Sequence, residues 1–239
     1  GWSYNGVPLN TTFEKMAASD GARRRFVSGV MDIVKKYDLD GAELDWEYPQ
    51  ENTGYLYDRT VIELANALHE EGQELSAAVA GATSINDRPQ SSRMIGAEAL
   101  QAMDFLDIMA YDLKAEQHSP MWFAEQSIVY WQHQGVEREK LVLGVPLVAL
   151  PSWVQYRKLV EIDESYAYED YLAAGTVSKL ASGYNGLLTL HDKTVFALDK
   201  CGGIMLYDIN EDREDQYSVL SMMHELIKEK ELLGDEVFA

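Results

Sequence analysis

Cysteine is almost absent from this chain of 239 residues, since Cys201 is the only one. A single cysteine excludes an intramolecular disulfide and a cluster of thiolate metal ligands. The five histidines stand singly along the sequence, without the spacing that is typical of zinc ligands. We therefore expect no thiolate metal cluster and interpret the histidines as surface or packing residues.

Basic residues are also scarce. The chain has 20 Lys and Arg against 40 Asp and Glu, which gives a formal net charge of −20. Nucleic acids and anionic membranes are bound by basic surfaces, so this balance argues against both as partners. No run of about 18 apolar residues occurs, and the sequence therefore predicts no membrane-spanning helix. A neutral polymer such as a glycan fits the composition better.

Strands alternate with helices along the chain, and this order predicts a parallel sheet with helical crossovers. Apolar residues make up 46% of the chain, which is ordinary for a globular domain. We predict a first helix over 13–37, capped internally at Ser19-Asp20. Five strands follow, over 39–48, 75–80, 105–111, 141–147 and 202–209. Further helices are predicted over 57–72, 91–102, 122–134, 153–160, 167–180, 188–199 and 214–230.

The acidic segment from Asp40 to Pro49 carries the chemistry. Its carboxylates Glu43, Asp45 and Glu47 stand two residues apart, so a strand places them on one face. Packed like charges raise one another's pKa values, and a carboxyl group kept protonated near neutrality can protonate a leaving oxygen in a glycosidase. The alternative is a solvated strand edge, which the interleaved aromatic residues disfavour.

This segment resembles the signature of the family 18 glycoside hydrolases (chitinases and relatives), a run of the form Asp-Gly-x-Asp-x-Asp-Trp-Glu-Tyr-Pro. Asp40 and the residues from Asp45 to Pro49 match it. Glu43 departs, because the family usually carries Asp there. If the site is packed, the extra methylene costs about 1–3 kcal/mol in strain and moves the carboxylate towards Asp45.

The resemblance implies a (β/α)8 TIM barrel. Gly1-Trp2-Ser3 resembles the tail of a Gly-Gly-Trp-Ser motif that ends the third barrel strand in this family. On that alignment the first two βα units are not present, and residues 1–239 form a single, N-terminally incomplete catalytic domain. The segments 151–153, 156–157 and 184–186 further resemble a bacterial-type subgroup. A five-stranded sheet cannot close into a barrel, so we expect the chain to be truncated.

Two further segments resemble family elements. Met109-Ala110-Tyr111-Asp112 is similar to the Met-x-Tyr-Asp element of the sixth barrel strand. Tyr207-Asp208 stands where the eighth strand normally ends in Trp-Glu, and Val148 replaces an aromatic residue that many members carry. The resemblance, together with the loop aromatic Trp153, implies a set of sugar-binding residues: Trp2, Tyr48, Met109, Asp112, Trp153 and Tyr207.

The resemblance also implies a mechanism without metal or cofactor, in which the substrate supplies the nucleophile. Glu47 would protonate the glycosidic oxygen, and the N-acetyl carbonyl of the sugar would attack its own anomeric carbon. Asp45 would orient the acetamido group, Glu43 would share a proton behind it, and Tyr111 would donate to the acetamido oxygen. Water activated by Glu47 would then open the oxazolinium ring with retained configuration.

Several alternatives remain open at this point. The substrate is expected to be chitin or its oligosaccharides, with N-glycans as a second possibility for an endo-β-N-acetylglucosaminidase. A second alternative is a non-catalytic sugar-binding protein on the same fold. A third alternative is a divalent metal site formed by the acidic residues. We expect a secreted monomer, although no signal peptide is visible in this sequence.

Overall fold

The computed structural model describes residues 3–87 and 94–234. The helices are α1 (Leu9–Ala17), α2 (Asp20–Tyr37), α3 (Gly54–His69), α4 (Ala97–Ala102), α5 (Met121–His133), α6 (Tyr156–Ile162), α7 (Leu187–Lys200) and α8 (Val219–Leu233). The strands are β1 (Ser3–Tyr4), β2 (Val7–Pro8), β3 (Gly41–Leu44), β4 (Glu74–Ala80), β5 (Phe105–Met109), β6 (Leu141–Pro146), β7 (Tyr171–Leu172), β8 (Ser182–Gly183) and β9 (Gly203–Tyr207).

The main sheet has five strands in the order β3-β4-β5-β6-β9, and the β3–β4 and β6–β9 pairs are parallel. Two small antiparallel pairs, β1–β2 and β7–β8, lie outside it. The sheet strands are the five that the sequence predicts, each followed by a helix. Two compact units emerge from the contacts, the first within Gly1–Ala80, Asn86–Asp107 and His133–Val136 and the second in the remainder.

The first unit pairs β3 with β4, with Glu43 opposite Ser76 and Leu44 opposite Ala77. Helix α2 begins at Asp20, where the Ser19 side chain accepts a hydrogen bond from the backbone N–H of Ala22. This is the cap that the sequence predicts. The preceding turn belongs to a separate helix, α1, so the single helix predicted over 13–37 is wrong.

The second unit pairs β6 with β9, with Gly144 opposite Met205 and Pro146 opposite Tyr207. Its buried strand β6 contributes Leu143 and Val145 to the core. The helix predicted over 167–180 is wrong. A 3-10 helix (Glu164–Tyr168) and the β7–β8 pair occupy that region. Gly175 has a φ of 86°, which a helix does not accommodate.

Candidate active site

The acidic segment leaves the sheet early. Strand β3 ends at Leu44, so Asp45 and the residues after it are irregular and the predicted strand over 39–48 is too long. At the start of the strand, a Cβ on Gly41 would lie 2.1 Å from the backbone oxygen of Glu74. Only glycine permits this close approach of β3 to β4, and the approach sets where the acids follow.

The apolar side of the segment is anchored in the first unit. Trp46 is 1% exposed and stacks on Phe13, with ring centroids 5.1 Å apart and an interplanar angle of 13°. Its indole N–H donates to Asn10 Oδ1 at 2.7 Å, and its ring also packs against Tyr57. The buried indole therefore fixes the backbone between Asp45 and Glu47.

Glu47 is partly buried beside Asp45. Burial raises the pKa of the Glu47 carboxyl, and the negative charge of Asp45 raises that pKa further. A hydrogen bond with Tyr48 acts in the opposite direction. The net shift favours the protonated form of Glu47, which is the form that a general acid requires.

Glu43 is exposed, whereas the sequence argument about strain assumes that it is packed. It borders a cavity of about 250 Å³ that Asp40 and Glu74 also line. The extra methylene is therefore not confined, and the expected strain is wrong. The hydroxyl of Ser76 on the neighbouring strand donates to Glu43 Oε2 at 3.3 Å.

Asp107 is a residue of this region that the sequence argument missed. It lies on β5, is 5% exposed and hydrogen-bonds to Glu43. Burial, the hydrogen bond and the charge of Glu43 together raise the pKa of Asp107 to about 8. Glu43 and Asp107 thus form an acid pair that holds a proton at neutral pH. The only sequence signal is a carboxylate within an otherwise apolar strand.

The second unit contains an aromatic pair. Tyr111 follows β5 and stacks on Tyr207 at the end of β9, with ring centroids 5.7 Å apart and an interplanar angle of 10°. Tyr207 is 48% exposed, so the pair lies at the surface of this unit. A Cβ on Gly144 would lie 3.1 Å from Tyr111 Cε1 and 2.6 Å from the Ile108 oxygen. The missing side chain of Gly144 therefore makes room for the Tyr111 ring.

Asp112 is half exposed and has a φ of 61°. Its backbone N–H donates to Nδ1 of the buried His118 at 3.1 Å. Burial and the neighbouring Lys193 lower the pKa of His118 to about 4, so its ring is neutral at neutral pH and Nδ1 can accept. Partial burial also raises the pKa of the Asp112 carboxyl.

Comparison with known proteins settles the family. Residues 1–232 match the model of the glycosyl hydrolases of family 18. The chain belongs to this family. That result agrees with the resemblance of the acidic segment, whereas the bacterial-type subgroup stays a prediction.

Family 18 relatives support the fold. The chitinase ChiB of Flavobacterium johnsoniae is 27% identical, with a TM-score of 0.79 over 94% of this chain and 72% of that chain. An agglutinin of Robinia pseudoacacia that resembles chitinases has a TM-score of 0.76 at 20% identity, over 93% of this chain and 78% of that chain. The five-stranded sheet with its helices is thus a part of the (β/α)8 barrel.

Curated relatives are longer. The endochitinase of Manduca sexta is 32% identical over the matched part, which covers 61% of this chain and 30% of the relative. For the first curated relatives, the matched part is a third of their length or less.

The other residues that are predicted to bind sugar differ in their exposure to solvent. Trp153 is 58% exposed. Met109 and Tyr48 are partly buried. Trp2 lies outside the described residues. The structure places the acids in the first unit, and Tyr111, Asp112, Trp153 and Tyr207 in the second.

Within 3–87 and 94–234, no three His, Cys, Asp or Glu side chains are arranged to hold a metal ion. In the same residues, each helix is too short or too polar to cross a membrane.

Proposed function

We propose that this chain is a chitinase-type hydrolase, which cleaves β-1,4-linked N-acetylglucosamine polymers with Glu47 as general acid. The observation that carries the proposal is the raised pKa of Glu47 beside Asp45, in a chain of family 18. An acid with this pKa shift keeps its proton closer to neutrality, where it can protonate a glycosidic oxygen.

The proposal assigns the nucleophile to the substrate. Asp45 orients the acetamido group so that its carbonyl oxygen attacks the anomeric carbon and the protonated leaving group departs. Glu47, now ionised, removes a proton from the water that opens the oxazolinium ion. These roles, and those of Tyr111 and Asp112 in holding the sugar, rest on the family resemblance.

The acid pair Glu43 and Asp107 is given a supporting role in the same proposal. Because Asp107 holds a proton at neutral pH and Glu43 hydrogen-bonds to it, we assign this pair the role of limiting the negative charge near Asp45. The pair replaces the proton exchange between Glu43 and Asp45 that the sequence suggests. Secretion and a monomeric state stay predictions.

The test is hydrolysis of chito-oligosaccharides by the wild-type protein and by Glu47→Gln. Gln keeps the size of the side chain and removes the transferable proton, so we expect a loss of about 10²–10⁴-fold in kcat with retained oligosaccharide binding. Glu125→Gln, at an exposed position on α5, is the matched control and should keep full activity. Equal rates for wild type and Glu47→Gln would contradict the role of Glu47.

The alternative is a sugar-binding protein without activity. Tyr207 favours it, since tyrosine offers less stacking area than the Trp that the family usually carries there. Oligosaccharide binding by wild type without any hydrolysis would support this alternative. Cleavage of N-glycans in preference to chito-oligosaccharides would instead indicate an endo-β-N-acetylglucosaminidase.

A further inference from the structure

Lys193 is buried in the second unit, and it forms no ion pair with any residue that the structure describes. It lies on α7, and its exposed fraction is 0%. Its ammonium group donates to three oxygens: the backbone oxygen and hydroxyl of Ser119, both at 2.6 Å, and Asn185 Oδ1 at 2.7 Å. These three acceptors match the three donors of an ammonium group, so the polar end of Lys193 is fully satisfied by neutral partners.

Ser119 connects Lys193 to the backbone just after β5 by hydrogen bonds. Its hydroxyl accepts from Lys193 and donates to the backbone oxygen of Ala110 at 2.6 Å. Asn185 supports the same point, because its amide donates to the Ser119 oxygen at 3.0 Å. The residue just before Tyr111 is thus tied to α7 through one buried hydroxyl.

The segment between Ala110 and Ser119 folds back on itself. The backbone N–H groups of Asp112 and Leu113 donate to Nδ1 and to the backbone oxygen of His118, at 3.1 Å and 3.0 Å. His118 immediately precedes Ser119, so the position of Ser119 also determines the position of His118. Asp112, which has a positive φ, lies near the start of this loop, and its backbone N–H is held by His118 near the end.

We propose that Lys193 is a positioning residue for Tyr111 and Asp112. It acts through Ser119 and His118 and has no contact with the sugar itself. The proposed consequence, which rests on the proposed function, is that loss of Lys193 weakens sugar binding and turnover more than it weakens the fold.

The free-energy cost of burying the Lys193 amine supports this assignment. Burial of an amine is unfavourable, and burial lowers the pKa of Lys193 to about 7. An apolar side chain of similar length would fill the same volume without this cost. What an apolar side chain cannot supply is the link from α7 to Ser119 and Ala110.

The experiment compares Lys193→Met and Ser119→Ala with Tyr156→Phe. Tyr156 is buried in the same unit and its hydroxyl donates to the Tyr217 oxygen at 3.0 Å, so its variant loses one buried hydrogen bond elsewhere. Hydrogen exchange of the Asp112 and Leu113 amides should accelerate at least about 10-fold in the first two variants, because local opening becomes easier. In Tyr156→Phe those two amides should keep their wild-type rates.

Activity and binding are read separately. If wild type hydrolyses chito-oligosaccharides, Lys193→Met and Ser119→Ala should raise KM at least about 5-fold, and Tyr156→Phe should not. If wild type is inactive, the proposed function fails, while hydrogen exchange still decides the positioning role. Equal exchange of the two amides in all three variants would overturn that role. Ser119→Ala decides the question if Lys193→Met does not fold.

Discussion

Replacement of Asp107 by Asn should remove a pH dependence of the free energy of unfolding. The pKa of Asp107 is about 8 in the folded protein, against an ordinary value of 3.8. Between these values the folded state holds a proton that the unfolded state has released. The contribution of Asp107 to stability is therefore greatest at low pH and falls as the pH rises towards 8.

The size of the effect follows from this linkage. Each pKa unit corresponds to about 1.4 kcal/mol, so the full separation amounts to about 6 kcal/mol. Between about pH 5 and pH 8 the same relation gives about 4 kcal/mol. Because Glu43 shares the proton of Asp107, we expect about 3 kcal/mol in the measurement. Asn is neutral throughout and retains a donor for Glu43.

The assay is urea unfolding of wild type and Asp107→Asn across this pH range. The difference in unfolding free energy between the two should change by about 3 kcal/mol in favour of the variant as the pH rises. Asp163→Asn is the control. Asp163 is exposed and its pKa is lowered, so it is ionised in both states over this range and its curve should run parallel to wild type. Parallel curves for Asp107→Asn would refute the proton-holding pair.

Two further predictions concern Gly144, which lies beside Tyr111, and Glu43, which lies beside Asp107. Gly144→Ala should cost about 1–3 kcal/mol and lower kcat/KM, because the new Cβ collides with the Ile108 oxygen and the Tyr111 ring. Gly203→Ala is its control, since a Cβ there meets Val142 at 3.4 Å; equal losses in the two variants would argue against the role of Gly144. Glu43→Asp should shorten the reach to Asp107, lower the pKa of Asp107 and thereby weaken the pH dependence of unfolding. NMR titration of the Asp107 carboxyl checks this, and an unchanged pKa would contradict it.

Local patterns predict most of the elements in this chain. The five sheet strands and the N-cap at Ser19 follow from apolar periodicity and capping preference, which depend on near neighbours in the sequence. The helix predicted over 167–180 fails because β7 pairs with β8, a contact that a local pattern does not contain. The strand over 39–48 is too long because alternation of side chains does not show where pairing with β4 ends.

The sequence by itself determined the family-defining acids and the buried aromatic that anchors them. Glu47 and Trp46 are adjacent in the family motif, and the structure buries Trp46 while Glu47 is only partly buried. Only the tertiary structure decided which groups act on those acids and tyrosines. Lys193 and Ser119 are 74 residues apart, and Asp107 reaches Glu43 from a different strand. Proton sharing and positioning depend on such long-range contacts, because electrostatic and hydrogen-bond energies depend on distance in space, not on separation in sequence.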